Sequence, residues 1–155
     1  MGFLRRLFGG STGADPGPVK PQRLDYLNEA LALERQGDFE AAVVSYRLAL
    51  RDHPSDPRIL QNLAIVLSRT GKLDDAIRHY RKALDLDPQL AGAHYGLGFL
   101  LMRKGDTDTA ARHLRAFLGN PPRGPEAQRW IEHAETALRE LDLAPPSAAA
   151  GMEGA

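Results

Sequence analysis

The chain has 155 residues, 20 Lys plus Arg against 20 Asp plus Glu, and 43% apolar residues. That is the size of one domain or one short repeat array with tails, and zero net charge removes the general pull toward nucleic acid that a strongly basic domain has. With no cysteine in the chain, disulfides, a cysteine nucleophile, iron–sulfur ligation and thiolate zinc sites are all excluded. A cysteine-free chain is compatible with a reducing cytosol, so a cytoplasmic location is expected.

Residues 1–8 come first. Phe3, Leu4, Leu7 and Phe8 share one face of a short helical segment, with Arg5 and Arg6 on the other. The apolar run is too short for a signal peptide or a membrane span. A segment of this kind offers a tether, either to an anionic membrane surface as a peripheral contact or to a partner groove. A frayed end is the competing reading, because two turns bury little and short helices are marginal in water. Residues 9–22, GGSTGADPGPVKPQ, are too rich in Gly and Pro for a continuous helix or strand, and form a linker.

From residue 23 the chain repeats itself. Gly37, Gly71 and Gly105 are 34 residues apart, as are Ala42, Ala76 and Ala110, and Pro54, Pro88 and Pro122. Tyr46, Tyr80 and Leu114 recur in the same register, as do Leu33, Leu67 and Leu101, and the small residues Ala30, Ala64 and Gly98. Three copies, 23–56, 57–90 and 91–124, follow one another without a gap. Each holds two apolar stripes of helical period. In the second copy Leu60, Leu63, Ala64 and Leu67 stand at i, i+3, i+4 and i+7. Asp56-Pro57 supplies an N-cap and a first-turn proline. Gly71 ends that helix, Ile77, Tyr80, Ala83 and Leu84 form the next stripe, and Pro88 blocks its extension. A helix pair of this size cannot bury both faces alone, so the copies must stack.

The third copy departs from the others at Phe117, where they carry Ala49 and Ala83. A phenylalanine there implies that no ordinary copy follows. Gly124-Pro125-Glu126 instead opens a lone helix within 125–143, whose Trp130, Ile131, Ala134, Leu138 and Leu141 form one apolar stripe. This reads as a capping helix, with Trp130 expected in the core. Residues 144–155, APPSAAAGMEGA, have little to bury and read as a disordered tail.

The repeated pattern resembles the tetratricopeptide repeat family. The second copy carries Leu60, Leu63, Ala64, Leu67, Ala76, Tyr80, Ala83 and Pro88, and the third His94, Leu97, Gly98, Leu101, Ala110, Leu114 and Pro122. The first is looser, with Tyr26, Glu29, Ala30, Leu33, Ala42, Tyr46, Ala49 and Pro54; Glu29 at a leucine position suits a terminal copy with one side in water. The resemblance spans 102 of 155 residues. It implies an all-α, right-handed α-solenoid of three helix pairs plus a C-terminal capping helix. It also implies a concave groove lined by the first helix of each copy.

By that resemblance the lining positions are Leu24, Leu27, Leu31, Glu34 and Arg35 in the first copy. The second contributes Arg58, Gln61, Ile65, Ser68 and Arg69, and the third Gly92, Tyr95, Phe99, Met102 and Arg103. Leu27, Leu31, Ile65, Tyr95, Phe99 and Met102 make an apolar trough, and Arg35, Arg69 and Arg103 recur beside it as a ladder. Such a trough suits an amphipathic helix or extended peptide of a protein partner. The arginines also suit the carbonyl ends of their helices, which is the competing reading. Chaperone-binding members of the family grip a C-terminal carboxylate with Lys, Asn and Arg clamp residues; only Asn62 matches, so a chaperone-tail adaptor is disfavoured.

Catalytic signals are thin. His53, His79, His94, His113 and His133 show no metalloprotease spacing, and no nucleophile elbow, P-loop or dinucleotide fingerprint occurs. His79 and His113 read as solvated polar positions, and Asp38, Asp74 and Asp106 as helix caps. No enzyme activity, cofactor, metal or nucleic-acid partner is expected. The function that fits is a protein-interaction module, a scaffold or assembly factor. The alternative is a structural subunit ordered within a stable, multiprotein or membrane-associated complex.

Overall fold

The computed structural model describes residues 25–143. The expected N-terminal segment, linker and C-terminal tail lie outside these residues. Seven helices fill the described chain: α1 (Tyr26–Gln36), α2 (Phe39–Asp52), α3 (Pro57–Arg69), α4 (Leu73–Leu86), α5 (Ala91–Lys104), α6 (Thr107–Gly119) and α7 (Ala127–Leu143). They pack in chain order, α1 on α2, α3 on α4 and α5 on α6. Contacts of α2 with α3, α4 with α5 and α6 with α7 join the units. The result is the all-α solenoid of three pairs and a cap.

Local chemistry sets the helix ends. Asp25, Asp38, Asp56 and Asp106 each accept a backbone N–H of the helix they precede, satisfying donors that have no partner within the helix. Gly37, Gly71 and Gly105 stand at φ +80°, +80° and +84°, a left-handed turn that costs a side chain energy and glycine none. Asp74 does not cap. The 34-residue register puts Lys72 at that place, without a side-chain cap bond. Asp74 lies in the first turn of α4 and pairs with Lys104 at 2.8 Å. Lys104 draws its carboxyl below the ordinary carboxylate range.

The small-residue columns mark where helices cross. Ala30, Ala42, Ala64, Ala76 and Ala110 have no exposed surface. At the third crossing a Cβ on Gly98 would come within 2.9 Å of Leu114 Cγ, so the branched Leu114 is accommodated by the absence of a side chain opposite. Glu29, on the first helix of the stack, is exposed among the described residues.

The cap inverts the size pattern of the other junctions. Phe117 is 1% exposed and packs with Leu114, Ala134 and Ala137. The bulk therefore comes from α6, and α7 meets it with alanines. Trp130 is consequently not core: it is 38% exposed, on the flank of the α7 stripe. Ile131, Leu138 and Leu141 are half-buried against the cluster as the stripe predicts. The Trp130→Ala change is expected to cost about 1 kcal/mol, well short of the ~3–5 kcal/mol of a buried large aromatic. Urea unfolding of the two proteins checks this, and a loss in the buried range would place the indole inside.

Candidate functional site

The first helices α1, α3 and α5 carry the predicted groove residues, except Leu24, which lies outside the described residues. Leu27, Leu31, Gln61, Ile65, Tyr95, Phe99 and Met102 are all half-buried, while Arg35, Arg69 and Arg103 are exposed. Leu27, Leu31, Ile65 and Met102 also pack against the main core. The trough is thus the outer edge of the core rather than a separate apolar patch.

The structure gathers these residues into two ends. At one, Leu31, Glu34, Arg35, Phe39 and Arg69 line a recess of about 340 Å³. The Arg69 guanidinium lies 5.2 Å above the Phe39 ring, a cation–π contact that orients it. Glu34 accepts a hydrogen bond from the Tyr46 hydroxyl at 2.8 Å. Burial, reinforced by that carboxylate, pushes the Tyr46 phenol above its ordinary range. Glu34 is thereby held in place between two helices, and does not pair with either arginine. The three ladder arginines occupy the last turns of α1, α3 and α5.

At the other end sits an aromatic group. The Tyr95 ring is 4.8 Å from Phe99 and 5.1 Å from Phe117. The His133 ring stacks on Phe99 at 4.2 Å and 11°, and its Nδ1 is 2.6 Å from the Tyr95 hydroxyl. Burial raises the Tyr95 phenol above its usual value, with Arg129 opposing. Gln61 lies between the two ends, its amide over Gly92 where a Cβ would meet Oε1 at 2.6 Å.

His133 was not among the predicted groove residues. Its signal was available: Leu31, Ile65, Phe99 and His133 form one column at a period of 34. Arg129 likewise continues Leu27, Gln61 and Tyr95. Both escape a search for apolar stripes, because these two positions on α7 are polar and lie beside the stripe.

His113 corrects the sequence reading too. It is half-buried, not solvated, and its Nδ1 lies 3.0 Å from His94 Nδ1. His79 is half-buried as well, its Nδ1 2.7 Å from the Asp75 carbonyl oxygen. Among the described residues no group of three or more metal-ligating side chains comes together, and no helix is long and apolar enough to cross a membrane.

A stack of helix pairs with a lined inner face defines the class of repeat proteins called α-solenoids. Tetratricopeptide repeat descriptions match residues 25–66, 69–105 and 95–151. The chain belongs to the tetratricopeptide repeat family.

No curated protein matches the chain. Among solved structures it is similar to the Yersinia enterocolitica type III secretion translocator chaperone SycD, at 19% identity and a TM-score of 0.71, over 76% of this chain and 81% of that one. The same chaperone in complex with a peptide of the translocator YopD matches at 19% and 0.71, over 76% and 90%. The TPR2B domain of yeast Sti1, in a complex with pHsp70, matches at 20% and 0.66, over 74% and 94%. At these identities the likeness shows the fold.

Proposed function

We propose that this chain is a non-enzymatic protein-interaction module, a scaffold or assembly factor that holds a peptide or helix of a partner protein in its concave groove. The observation that carries the reading is the charge on the lining positions. Arg35, Arg58, Arg69, Arg103 and Arg129 are all exposed. The ion pairs among the described residues, Lys72–Glu40, Arg78–Asp75, Lys104–Asp74 and Arg115–Asp142, use none of them. Five exposed arginines outside these ion pairs thus stand at lining positions, beside half-buried apolar side chains, although other exposed arginines, such as Arg47 and Arg81, are also outside them. The partner that complements this face has acidic residues flanking apolar anchors. The neighbouring folds SycD and Sti1 TPR2B, which hold a YopD peptide and pHsp70 respectively, support the same general use of the scaffold.

The triple change of Arg35, Arg69 and Arg103 to Gln is expected to weaken this binding chiefly at low salt. Exposed charges act mainly on the association rate and are screened over about 8 Å at physiological ionic strength. The check is titration of a partner segment, recovered from native extract, at two salt concentrations. Equal affinity of parent and variant at low salt assigns the arginines to their helix ends alone.

Residues 3–8 serve in this proposal as the tether, placing a cytoplasmic protein at a membrane surface or a larger complex. The helical spacing of their four apolar residues, with two arginines between, supports the reading. Removing residues 1–10 is expected to leave the circular dichroism spectrum unchanged but to reduce liposome co-sedimentation or co-purification of a partner. Unaltered behaviour in both assays returns the segment to a frayed end.

A further inference from the structure

His94 on α5 and His113 on α6 face one another Nδ1 to Nδ1 at 3.0 Å, their rings 5.2 Å apart and tilted by 37°. The second nitrogen of His94, Nε2, lies 2.8 Å from the Pro88 carbonyl oxygen in the turn between α4 and α5. A carbonyl only accepts, so Nε2 must carry a hydrogen. In a neutral ring His94 Nδ1 is then a bare acceptor. The hydrogen between the rings accordingly belongs to His113 Nδ1. With His94 neutral, the contacts imply Nε2–H for His94 and the less common Nδ1–H for His113.

A proton added to His94 Nδ1 sets two N–H groups head to head across 3.0 Å unless His113 moves its own hydrogen to Nε2, so the contact is lost outright only when both rings are charged. A proton added to His113 Nε2 keeps the bond but places a charge in a half-buried position. The charged groups that act on it are Arg81 from α4 and Arg112 and Asp106 from α6 and its cap, two cations against one carboxylate.

We propose that the His94–His113 pair is a proton-sensitive joint, which ties the α4–α5 turn, α5 and α6 together at neutral pH and weakens in mild acid. It links the second repeat to the third. The inference stands on the histidine geometry and does not depend on what the groove binds.

The sign of the pH effect follows. Burial first, then His94, Arg112 and Arg81, hold His113 below its ordinary value of 6.5, with Asp106 opposing. The unfolded chain therefore takes the proton before the folded one does. This contribution to stability is complete above about pH 6.5 and falls as the pH drops below it, until the folded-state value is passed.

Two measurements on the full chain test the joint. Long-range ¹H–¹⁵N correlation of the imidazoles near pH 8 is expected to show His94 in the Nε2–H form and His113 in the Nδ1–H form. Finding His113 in the common Nε2–H form overturns the proposal. Urea unfolding at pH 7.5 and 5.5 then compares the parent with His113→Gln, whose amide donates to His94 Nδ1 without titrating. His53, His79, His94 and His133 are common to both proteins, so the difference reports the loss of His113. The parent's unfolding constant is expected to rise more steeply in acid, by up to about tenfold per pH unit, the limit for one proton. Parallel pH profiles overturn the proposal, and if the variant does not fold, the tautomer measurement decides.

Discussion

Phe117→Ala is expected to lose about 3–5 kcal/mol of stability, the range for deleting a fully buried large aromatic when the surroundings cannot collapse. The side chain is 1% exposed. It fills the space between Leu114 and the α7 alanines, Ala134 and Ala137, and its ring meets Tyr95 at 5.1 Å. Alanine at 117 would leave alanine facing alanine, with nothing to bridge the gap between α6 and α7. In a repeat stack each element is held only by its neighbours, so the terminal helix should loosen before the rest. Trp130, the one tryptophan, lies on that helix. Urea unfolding followed both by Trp130 fluorescence and by circular dichroism should therefore give coincident transitions in the parent and an earlier fluorescence transition in the variant. A loss below about 1 kcal/mol would mean that α7 is held by Ile131, Leu138 and Leu141 without Phe117.

Phe99→Ala is expected to weaken partner binding about 10- to 100-fold at any ionic strength. Burying one such anchor is worth roughly 1.5–3 kcal/mol before ordering costs. Phe99 is half-buried in the free protein, with one neighbour in Tyr95 and another in His133 stacked at 4.2 Å. The pre-set stack keeps the ring in place, so little rotamer freedom is lost on binding. Apolar anchors act on the dissociation rate, and the loss should persist at a salt concentration that abolishes the effect of the arginine changes. Titration of the same partner segment against both variants separates the two contributions. Unchanged affinity for Phe99→Ala, with the helical spectrum intact, moves the binding site off the concave face.

Repetition made the architecture legible. One glycine, one alanine and one proline recurring every 34 residues place the turns, the helix crossings and the helix stops. These depend on local chemistry: a positive φ, a missing side chain and a missing N–H. They act in the same way wherever the copy sits in the stack. The aspartate caps at Asp38, Asp56 and Asp106 belong to the same class. Which residues share one face of each first helix was equally readable, because register along a helix fixes it; that this face lines a groove is what the family resemblance implies.

Pairing between side chains was not legible, since period gives a residue's direction and not what stands opposite. Trp130 lies near the stripe of α7, yet it is exposed because Phe117 had already supplied the volume and α7 answers with small residues. His113 appeared as a polar position on an outer helix until α5 brought His94 to 3.0 Å from it. Arg69 is drawn over Phe39, and Asp74 to Lys104, by neighbours 30 residues away in the chain. Size complementarity, tautomer and ion pairing are properties of two surfaces in contact. Only packing the helices together brought those surfaces into being.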